Sequence, residues 1–296
     1  VLTRPNNVRP GPPYPHFDVE GIWAFLLDSL AVMEADHGID RISITTHGAT
    51  FVLLDADGDL ATPVMDYEFT GPDELADSYD ALRPDFSDTG SPRRPVGSNA
   101  GAQLHWLLET QAGLRDRVGQ VVSYPQYWSG RLTGDFKTEL TSLGCHTDLW
   151  NPHTARYSQL AEALGIAEKM APLALASDVA GTLLPGVADA TGLTETTPVM
   201  SGIHDSNASL LPHLRQMEGP FSVVSTGTWV VSMAVGGAPA VLDPARDSLV
   251  NVNGLGDPTP SARFMGGREF ERIKSELADP TTNDRDRVLN VRLFLL

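Results

Sequence analysis

Apolar and polar positions alternate with different periods along the chain, and each change of period predicts a new element. After Asp18, apolar residues recur at steps of three and four, which predicts a helix with one buried face. These apolar positions are Ile22, Phe25, Leu26, Leu30 and Met33. Asp18 is a residue type that commonly caps such a helix. Short apolar or alternating runs at 41–46 and 51–54 then predict two strands.

The same patterns continue to the end of the chain. They predict helices over 100–111, 125–134, 154–164 and 268–277, and strands over 120–124, 198–201, 221–225 and 229–235. A short helix is predicted after Asp205, loops and short helices over 70–98, and a long connection over 179–196. Because strands and helices are interleaved, the predicted class is α/β, with its best domain boundary at 215–220.

Composition narrows the classes of function. The 296 residues are 41% apolar, enough for a large core, and carry a net charge of −17, which disfavours binding to nucleic acid or an anionic membrane. A single cysteine, Cys145, excludes an internal disulfide framework and multi-cysteine metal sites. With no long apolar run and no secretory signal in sight, we expect a cytoplasmic protein.

Asp205 is the first candidate for chemistry. It follows a predicted strand and Gly202 at the start of a helix, the kind of corner where open α/β sheets place catalytic groups. The alternative is a helix cap, with the carboxylate accepting the N–H of Asn207 or Ala208. The hydroxyl-rich turn at 225–228 is the second candidate, since it could bind phosphate or be an ordinary hairpin turn.

Two further segments carry polar residues. His47 and Gly48 end a predicted strand and could line a pocket or form a turn, and Asp66 could bind a polyol or lie in a solvated loop. The histidines show no metal-ligand spacing, so we assign no metal site to them. Walker A, G-x-G-x-x-G and G-x-S-x-G patterns are also missing from the sequence.

The order of these segments resembles the FGGY carbohydrate kinases of the actin-like ATPase superfamily, especially the branch of rhamnulokinase and fuculokinase. The segments that carry the resemblance are 46–55, 100–109, 125–134, 202–206 and 225–229. The resemblance implies an RNase H-like α/β fold with two lobes. It also divides the chain into a sugar-binding domain over 1–215 and part of a nucleotide-binding domain over 220–296.

The resemblance implies ATP-dependent phosphorylation of a ketose or deoxyketose in carbohydrate metabolism, with Mg²⁺ bridging the phosphates. Asp205 would be the general base that takes the proton of the attacking hydroxyl. The residues assigned to the sugar are His47, Gly48, Asp66, His204 and Ser206. Those assigned to the ATP phosphates are Thr226, Gly227 and Thr228. The implied partners are a small sugar and ATP, with homodimer formation left open.

Some family features are missing from this sequence. The opening D-x-G-T-like strand and the late G-G-G-x-S-like turn are absent, so we expect the chain to be part of a longer protein. Gln103 stands where the family helix usually has lysine, and segment 279–296 matches nothing in the family pattern. The main alternative function is a non-catalytic sugar-binding relative that has lost nucleotide binding. Another is a hydrolase that uses Asp205 and His204 without a nucleotide.

Overall fold

The computed structural model describes residues 1–226 and 229–276. Its α-helices are α1 (Val19–His37), α2 (Ala76–Asp80), α3 (Phe86–Thr89), α4 (Ala100–Thr110), α5 (Leu114–Arg117), α6 (Tyr124–Thr133), α7 (Leu140–Leu143), α8 (Gln159–Ala163), α9 (Pro185–Thr191), α10 (Asp205–Gln216) and α11 (Gly266–Glu276). Short 3₁₀ helices span Gly71–Leu75, Ala167–Lys169 and Pro244–Arg246. Within these ranges, no helix is long and apolar enough to cross a membrane.

The strands are interleaved with the helices, as the sequence predicts. They are β1 (Val8–Arg9), β2 (His16–Phe17), β3 (Thr45–Thr46), β4 (Phe51–Leu54), β5 (Gln120–Ser123), β6 (Thr138–Glu139), β7 (Trp150–Asn151), β8 (Arg156–Tyr157), β9 (Leu173–Ala174), β10 (Val179–Thr182), β11 (Pro198–Met200), β12 (Ile203–His204), β13 (Phe221–Thr226), β14 (Val230–Val235), β15 (Ser248–Val252) and β16 (Pro258–Phe264). In the part before residue 217 they form two-stranded pairs, whereas β13, β14, β16 and β15 form one antiparallel sheet in that order.

The antiparallel pair β4 and β5 separates two hydrophobic cores. Phe51 and Leu53 pack into one core, and their neighbours Val52 and Leu54 pack into the other. Successive side chains of a strand point to opposite faces, so this pair is buried on both sides. That burial explains why 51–54 is a continuous apolar run rather than an alternating one.

Several predicted elements are confirmed. The Asp18 carboxylate caps α1 by accepting the N–H of Gly21 at 3.2 Å. Helix α6 ends where predicted, because Gly134 adopts a left-handed conformation with φ of 81°. The predicted strand 41–46 is regular only over β3, although Ile42 forms a parallel bridge with Val199. Segment 279–296 lies outside the described residues.

Two predictions about the middle of the chain are wrong. The helix predicted over 154–164 is confined to α8, because Asn151 Oδ1 accepts the N–H groups of His153 and Thr154 and turns the chain into the β7–β8 hairpin. The connection predicted over 179–196 contains β10 and α9. Pro185 opens α9, and Gly192 closes it in a left-handed conformation.

Candidate active site

A cavity of about 430 Å³ lies between the end of the β3–β12 pair and one face of the four-stranded sheet. We call these two sides the strand-end wall and the sheet wall. The strand-end wall contains His47, Gly48, His204, Asp205 and Ser206. The sheet wall contains Thr226, Trp229, Val231, Leu249, Asn251 and Arg263. The cavity therefore gathers most of the residues that the sequence predicts for the site.

The parallel pairing of β3 with β12 brings two distant segments of the chain together. Thr45 pairs with Ile203 and Thr46 with His204, so residues 47–48 leave the sheet beside residues 204–205. A Cβ atom on Gly48 would lie 2.6 Å from Nε2 of His204. Gly48 thus makes room for the His204 ring, a role that no residue with a side chain could fill without displacing that ring.

Asp205 is the first residue of α10, and its carboxylate faces the cavity. Its Oδ1 accepts the backbone N–H of Ser206 at 2.6 Å and lies 3.2 Å from Nε2 of His204. Its Oδ2 receives no hydrogen bond from the described residues, and the side chain is 57% exposed. The carboxylate accepts neither the Asn207 nor the Ala208 N–H, and His204 occupies the cap position, so the helix-cap alternative is wrong.

His204 is buried and holds Asp205 from one side. Burial lowers the pKa of His204, although the nearby charge of Asp205 opposes this shift. The contacts fit a neutral ring whose Nε2–H donates to Asp205 and whose Nδ1 accepts from Asn207 Nδ2 at 3.5 Å. A neutral imidazole orients the carboxylate without forming a full ion pair with it.

A buried chain of hydrogen bonds supports the backbone just before Asp205. The N–H of His204 donates to Oγ1 of Thr141 at 3.0 Å, and the Thr141 hydroxyl donates to Glu139. Glu139 is fully buried and also accepts the N–H groups of Thr141 and Ser142 at the start of α7. Burial raises the pKa of Glu139 to about 7, and its hydrogen bonds oppose this shift.

His47 lies on the strand-end wall inside an aromatic cluster. Its ring centroid is 5.0 Å from that of Tyr67 and 5.1 Å from that of Tyr124. Burial lowers the pKa of His47 to about 4, so the ring is neutral at pH 7. Asp66, which the sequence predicts for sugar binding, does not line the cavity, and the adjacent Tyr67 lines it instead. The Asp66 carboxylate accepts the N–H of Glu68 in its own turn.

The predicted phosphate turn is described in part. Thr226 ends β13 on the cavity wall, beside Ser225, whereas Gly227 and Thr228 lie outside the described residues. Gln103, the departure from the family helix, is buried, and its Nε2 donates to the carbonyl oxygens of Ala49 and Gly97. Gln103 thereby fixes the backbone next to Gly48.

Sequence reasoning missed Arg94 and Arg263, which both line the cavity. Their guanidinium carbons lie 5.6 and 4.4 Å from the ring centroid of Trp229. Arg94 falls in the segment 70–98, for which the sequence predicts loops and short helices. The sequence does mark this position, because the adjacent arginines 93 and 94 stand between two prolines in a strongly acidic chain.

The described residues contain no group of three or more histidine, cysteine or acidic side chains that could hold a metal ion. Asp205 and Thr226, which carry a carboxylate and a hydroxyl, line the same cavity. This sparse set of oxygen ligands fits a magnesium ion that is held mainly by nucleotide phosphates and water.

Comparison with known proteins covers both parts of the chain. The family model described as the N-terminal domain of the FGGY family of carbohydrate kinases matches residues 4–212, and the one for the C-terminal domain matches 218–296. L-fuculokinase of Escherichia coli (strain K12) is 28% identical over 203 residues, which cover 66% of this chain and 41% of that protein. Rhamnulokinase of Bacteroides thetaiotaomicron is 26% identical over 256 residues, 84% of this chain and 52% of that protein.

Solved structures agree with this grouping. A carbohydrate kinase from Novosphingobium aromaticivorans superposes with a TM-score of 0.84 at 40% identity, over 92% of this chain and 60% of that one. A ligand-bound xylulose kinase from Lactobacillus acidophilus has a TM-score of 0.78 at 15% identity, a likeness of fold alone, over 96% and 59% of the two chains. The chain thus spans about half the length of the curated relatives and 60% of the first structure.

Proposed function

We propose, because the chain belongs to the FGGY family of carbohydrate kinases and shares their actin-like ATPase fold, that its cavity is the site of ATP-dependent phosphorylation of a sugar hydroxyl. The sugar-binding domain is proposed to cover 1–215, and 220–296 to form part of the nucleotide-binding domain. The acceptor is proposed to be a ketose or deoxyketose, by likeness to L-fuculokinase and rhamnulokinase. We further propose that the reaction takes place in the cytoplasm.

The observation that carries the proposal is the carboxylate of Asp205. One of its oxygens is held by Ser206 and His204, the other accepts no hydrogen bond from the described residues, and the residue lines the cavity. A sugar hydroxyl within reach of Oδ2 would give its proton to this oxygen as its own oxygen bonds to the γ-phosphorus of ATP. The bond between that phosphorus and the bridging oxygen of ADP breaks in the same step, and ADP leaves.

The other residues of the strand-end wall have supporting roles in this proposal. His204 orients the carboxylate with both of its ring nitrogens used inside the protein, and Ser206 and His47 hydrogen-bond the sugar. Gly48 leaves the space that the His204 ring occupies. Thr226, together with Gly227 and Thr228, holds the phosphates of ATP. Magnesium, when bound to the nucleotide, neutralises charge that develops on the phosphates. Alignment of the two substrates supplies much of the acceleration.

The test is Asp205→Asn, compared with Asp57→Asn in the exposed turn after β4 as the matched control. ADP release is measured in a coupled assay over a panel of pentuloses, hexuloses and deoxyketoses, and sugar binding is measured by calorimetry. We expect Asp205→Asn to lower kcat by about 10²- to 10⁴-fold with sugar binding kept, as for loss of a general base. Full turnover by Asp205→Asn would contradict the proposal.

The same assay distinguishes the kinase from the alternative function, a non-catalytic sugar-binding relative. A non-catalytic sugar-binding relative would bind one of these sugars in its wild-type form and release no ADP with any of them. The contrast between the wild type and Asp205→Asn would then vanish, because neither protein would turn over substrate.

A further inference from the structure

Two arginines from different parts of the chain meet on one aromatic ring of the sheet wall. Arg94 comes from the segment between α3 and α4, and Arg263 comes from β16. Both guanidinium groups lie near the face of Trp229, and all three side chains line the cavity that contains Asp205. Because their side chains are only 10% and 12% exposed, the two positive charges are largely removed from water.

The charges of this cluster do not balance. Asp247 Oδ1 contacts Nη1 of Arg94 and lies 3.5 Å from Nε of Arg263, so one carboxylate serves two guanidinium groups. Among the described residues no second carboxylate pairs with either guanidinium group, so one positive charge is left over in a protein whose net charge is −17. A buried charge is costly unless it is paired, which makes this position one that a negatively charged ligand would complete.

Hydrogen-bonding capacity is also left over. Among the described residues, Nε of Arg94 and Nη2 of Arg263 are buried donors without a partner, and Oδ1 of Asn251 is a buried acceptor without one. The Asn251 amide nitrogen is already used, since it donates to Oγ of Ser261 at 3.0 Å. The cluster thus offers two charged donors and one neutral acceptor.

The strand register explains why these groups share the cavity. Val231 pairs with Arg263 across β14 and β16, and Asn251 pairs with Thr259 across β15 and β16. Side chains of paired residues point to the same face of a sheet, and alternate residues of a strand share that face. Arg263 and Asn251 therefore project from the same face toward the opposite wall, where Asp205 lies.

We propose that Arg94, Arg263 and Asn251 form a subsite for an oxyanion with an adjacent hydroxyl, filled by the carboxylate end of an acidic sugar, so that the ketose acceptor is a ketoaldonate. The proposal rests on the proposed function, since it deepens the assignment of this cavity to a sugar acceptor. Guanidinium groups bind carboxylates through strong charge-assisted hydrogen bonds. The hydroxyl next to the carboxylate donates to Asn251 Oδ1. The terminal phosphate of a nucleotide offers the same oxyanion, so the test must separate the two sources.

The first arm measures binding without nucleotide, by calorimetry and by the ligand-induced rise in melting temperature of the full-length protein. The probes are aldonates and ketoaldonates of five and six carbons, each paired with the neutral ketose of the same length. We expect the best acidic sugar to bind at least about 10-fold more tightly than its neutral partner, as a charge-assisted hydrogen bond would give. Equal or tighter binding of the neutral sugars would overturn the proposal.

The second arm uses Arg263→Gln, with Arg156→Gln in the exposed β7–β8 hairpin as the matched control. We expect Arg263→Gln to weaken the acidic sugar by about 10- to 100-fold and to leave neutral sugars within about 2-fold. A variant that instead raises the KM for ATP equally with every acceptor would assign the oxyanion to phosphate and overturn the sugar assignment. If Arg263→Gln does not fold, the comparison of acidic and neutral sugars binding to the wild-type protein still tests the subsite.

The two proposals fail in different ways. Acidic sugars that bind in an Arg263-dependent manner while no ADP is released with any sugar would support the subsite and contradict the kinase reaction. ADP release with neutral ketoses alone, unaffected by Arg263→Gln, would support the kinase reaction and overturn the subsite.

Discussion

The two walls of the cavity differ in how their polar groups are satisfied. On the strand-end wall, Asp205 is held through Oδ1 by Ser206 and His204, and the backbone of His204 is held by Thr141. On the sheet wall, Arg94 and Arg263 share one carboxylate and keep buried donors that lack a described partner. One wall holds its reacting carboxylate through internal bonds, and the other keeps charged donors that a ligand could complete.

This difference separates two physical tasks. A group that accepts a proton must be oriented before the substrate arrives, and internal hydrogen bonds provide that orientation. A group that recognises a substrate must keep free donors or acceptors, because a donor already used within the protein gains nothing from the ligand. The strand-end wall should therefore depend on its internal bonds, and removing them should lower stability or catalysis.

The largest expected effect concerns Glu139, which lies at the buried end of the hydrogen-bond chain. Its pKa is raised from 4.5 to about 7, so between these pH values the folded state keeps a proton that the unfolded state has lost. Raising the pH through this window therefore lowers the free energy of unfolding, by up to about 3 kcal/mol. Glu139→Gln should remove this part of the pH dependence, as measured by urea unfolding from pH 4.5 to 8.

The exposed Glu195→Gln is the matched control and should keep the wild-type pH dependence. A Glu139→Gln variant with the same slope as the wild type would show that this carboxyl ionises as freely as one in water. The strand-end wall would then lack the buried support that distinguishes it from the sheet wall.

Gly48→Ala should give the next largest effect, because the new Cβ would lie 2.6 Å from Nε2 of His204. The ring must then move, and Asp205 loses the partner that orients it. A displacement of about 1 Å lowers catalysis by about 100-fold, so we expect a loss of that size in kcat. Gly186→Ala in α9, where a Cβ would meet nothing within 4 Å, should leave kcat unchanged. Wild-type kcat in Gly48→Ala would show that the ring does not position Asp205.

Much of the fold was predictable because it depends on local signals. The apolar spacing of α1, the buried run of β4 and the left-handed Gly134 at the end of α6 are each visible in a few neighbouring residues. The segment 154–164 was predicted wrongly because the side chain of Asn151 competes with the helix for two backbone N–H groups. The outcome depends on whether the side-chain hydrogen bond or the helix hydrogen bond has the lower free energy. The spacing of apolar residues carries no information about that difference.

The residues of the candidate site also divide into those that local sequence identifies and those that it does not. Asp205, His204 and Gly48 lie in segments that motif order identifies, and the parallel register of β3 and β12 brings them together. Arg94 and Arg263 were missed because they meet only through long-range packing: they are 169 positions apart in sequence, yet both guanidinium groups lie near the ring of Trp229.

 No local pattern marks such a pair, because each arginine lies in a segment that has other reasons to be polar.

The smallest expected effect comes from Thr141→Val, which removes the hydroxyl between His204 and Glu139 while keeping the shape of the side chain. The buried N–H of His204 then has no acceptor, which costs about 1–3 kcal/mol of stability. Because Asp205 itself keeps its contacts with Ser206 and His204, we expect kcat to fall only about 10-fold, with the KM for sugar nearly unchanged. The exposed Thr154→Val is the matched control for both measurements.

The split between kcat and KM makes this variant decisive for the comparison of the two walls. A fall in kcat at constant KM means that the internal bonds of the strand-end wall act on the proton-accepting group and not on sugar binding. A rise in KM with kcat unchanged would mean that these internal bonds act on sugar binding and do not orient Asp205. Thr141→Val therefore tests, through a residue that does not line the cavity, whether the internal bonds of the strand-end wall orient Asp205 rather than bind the sugar.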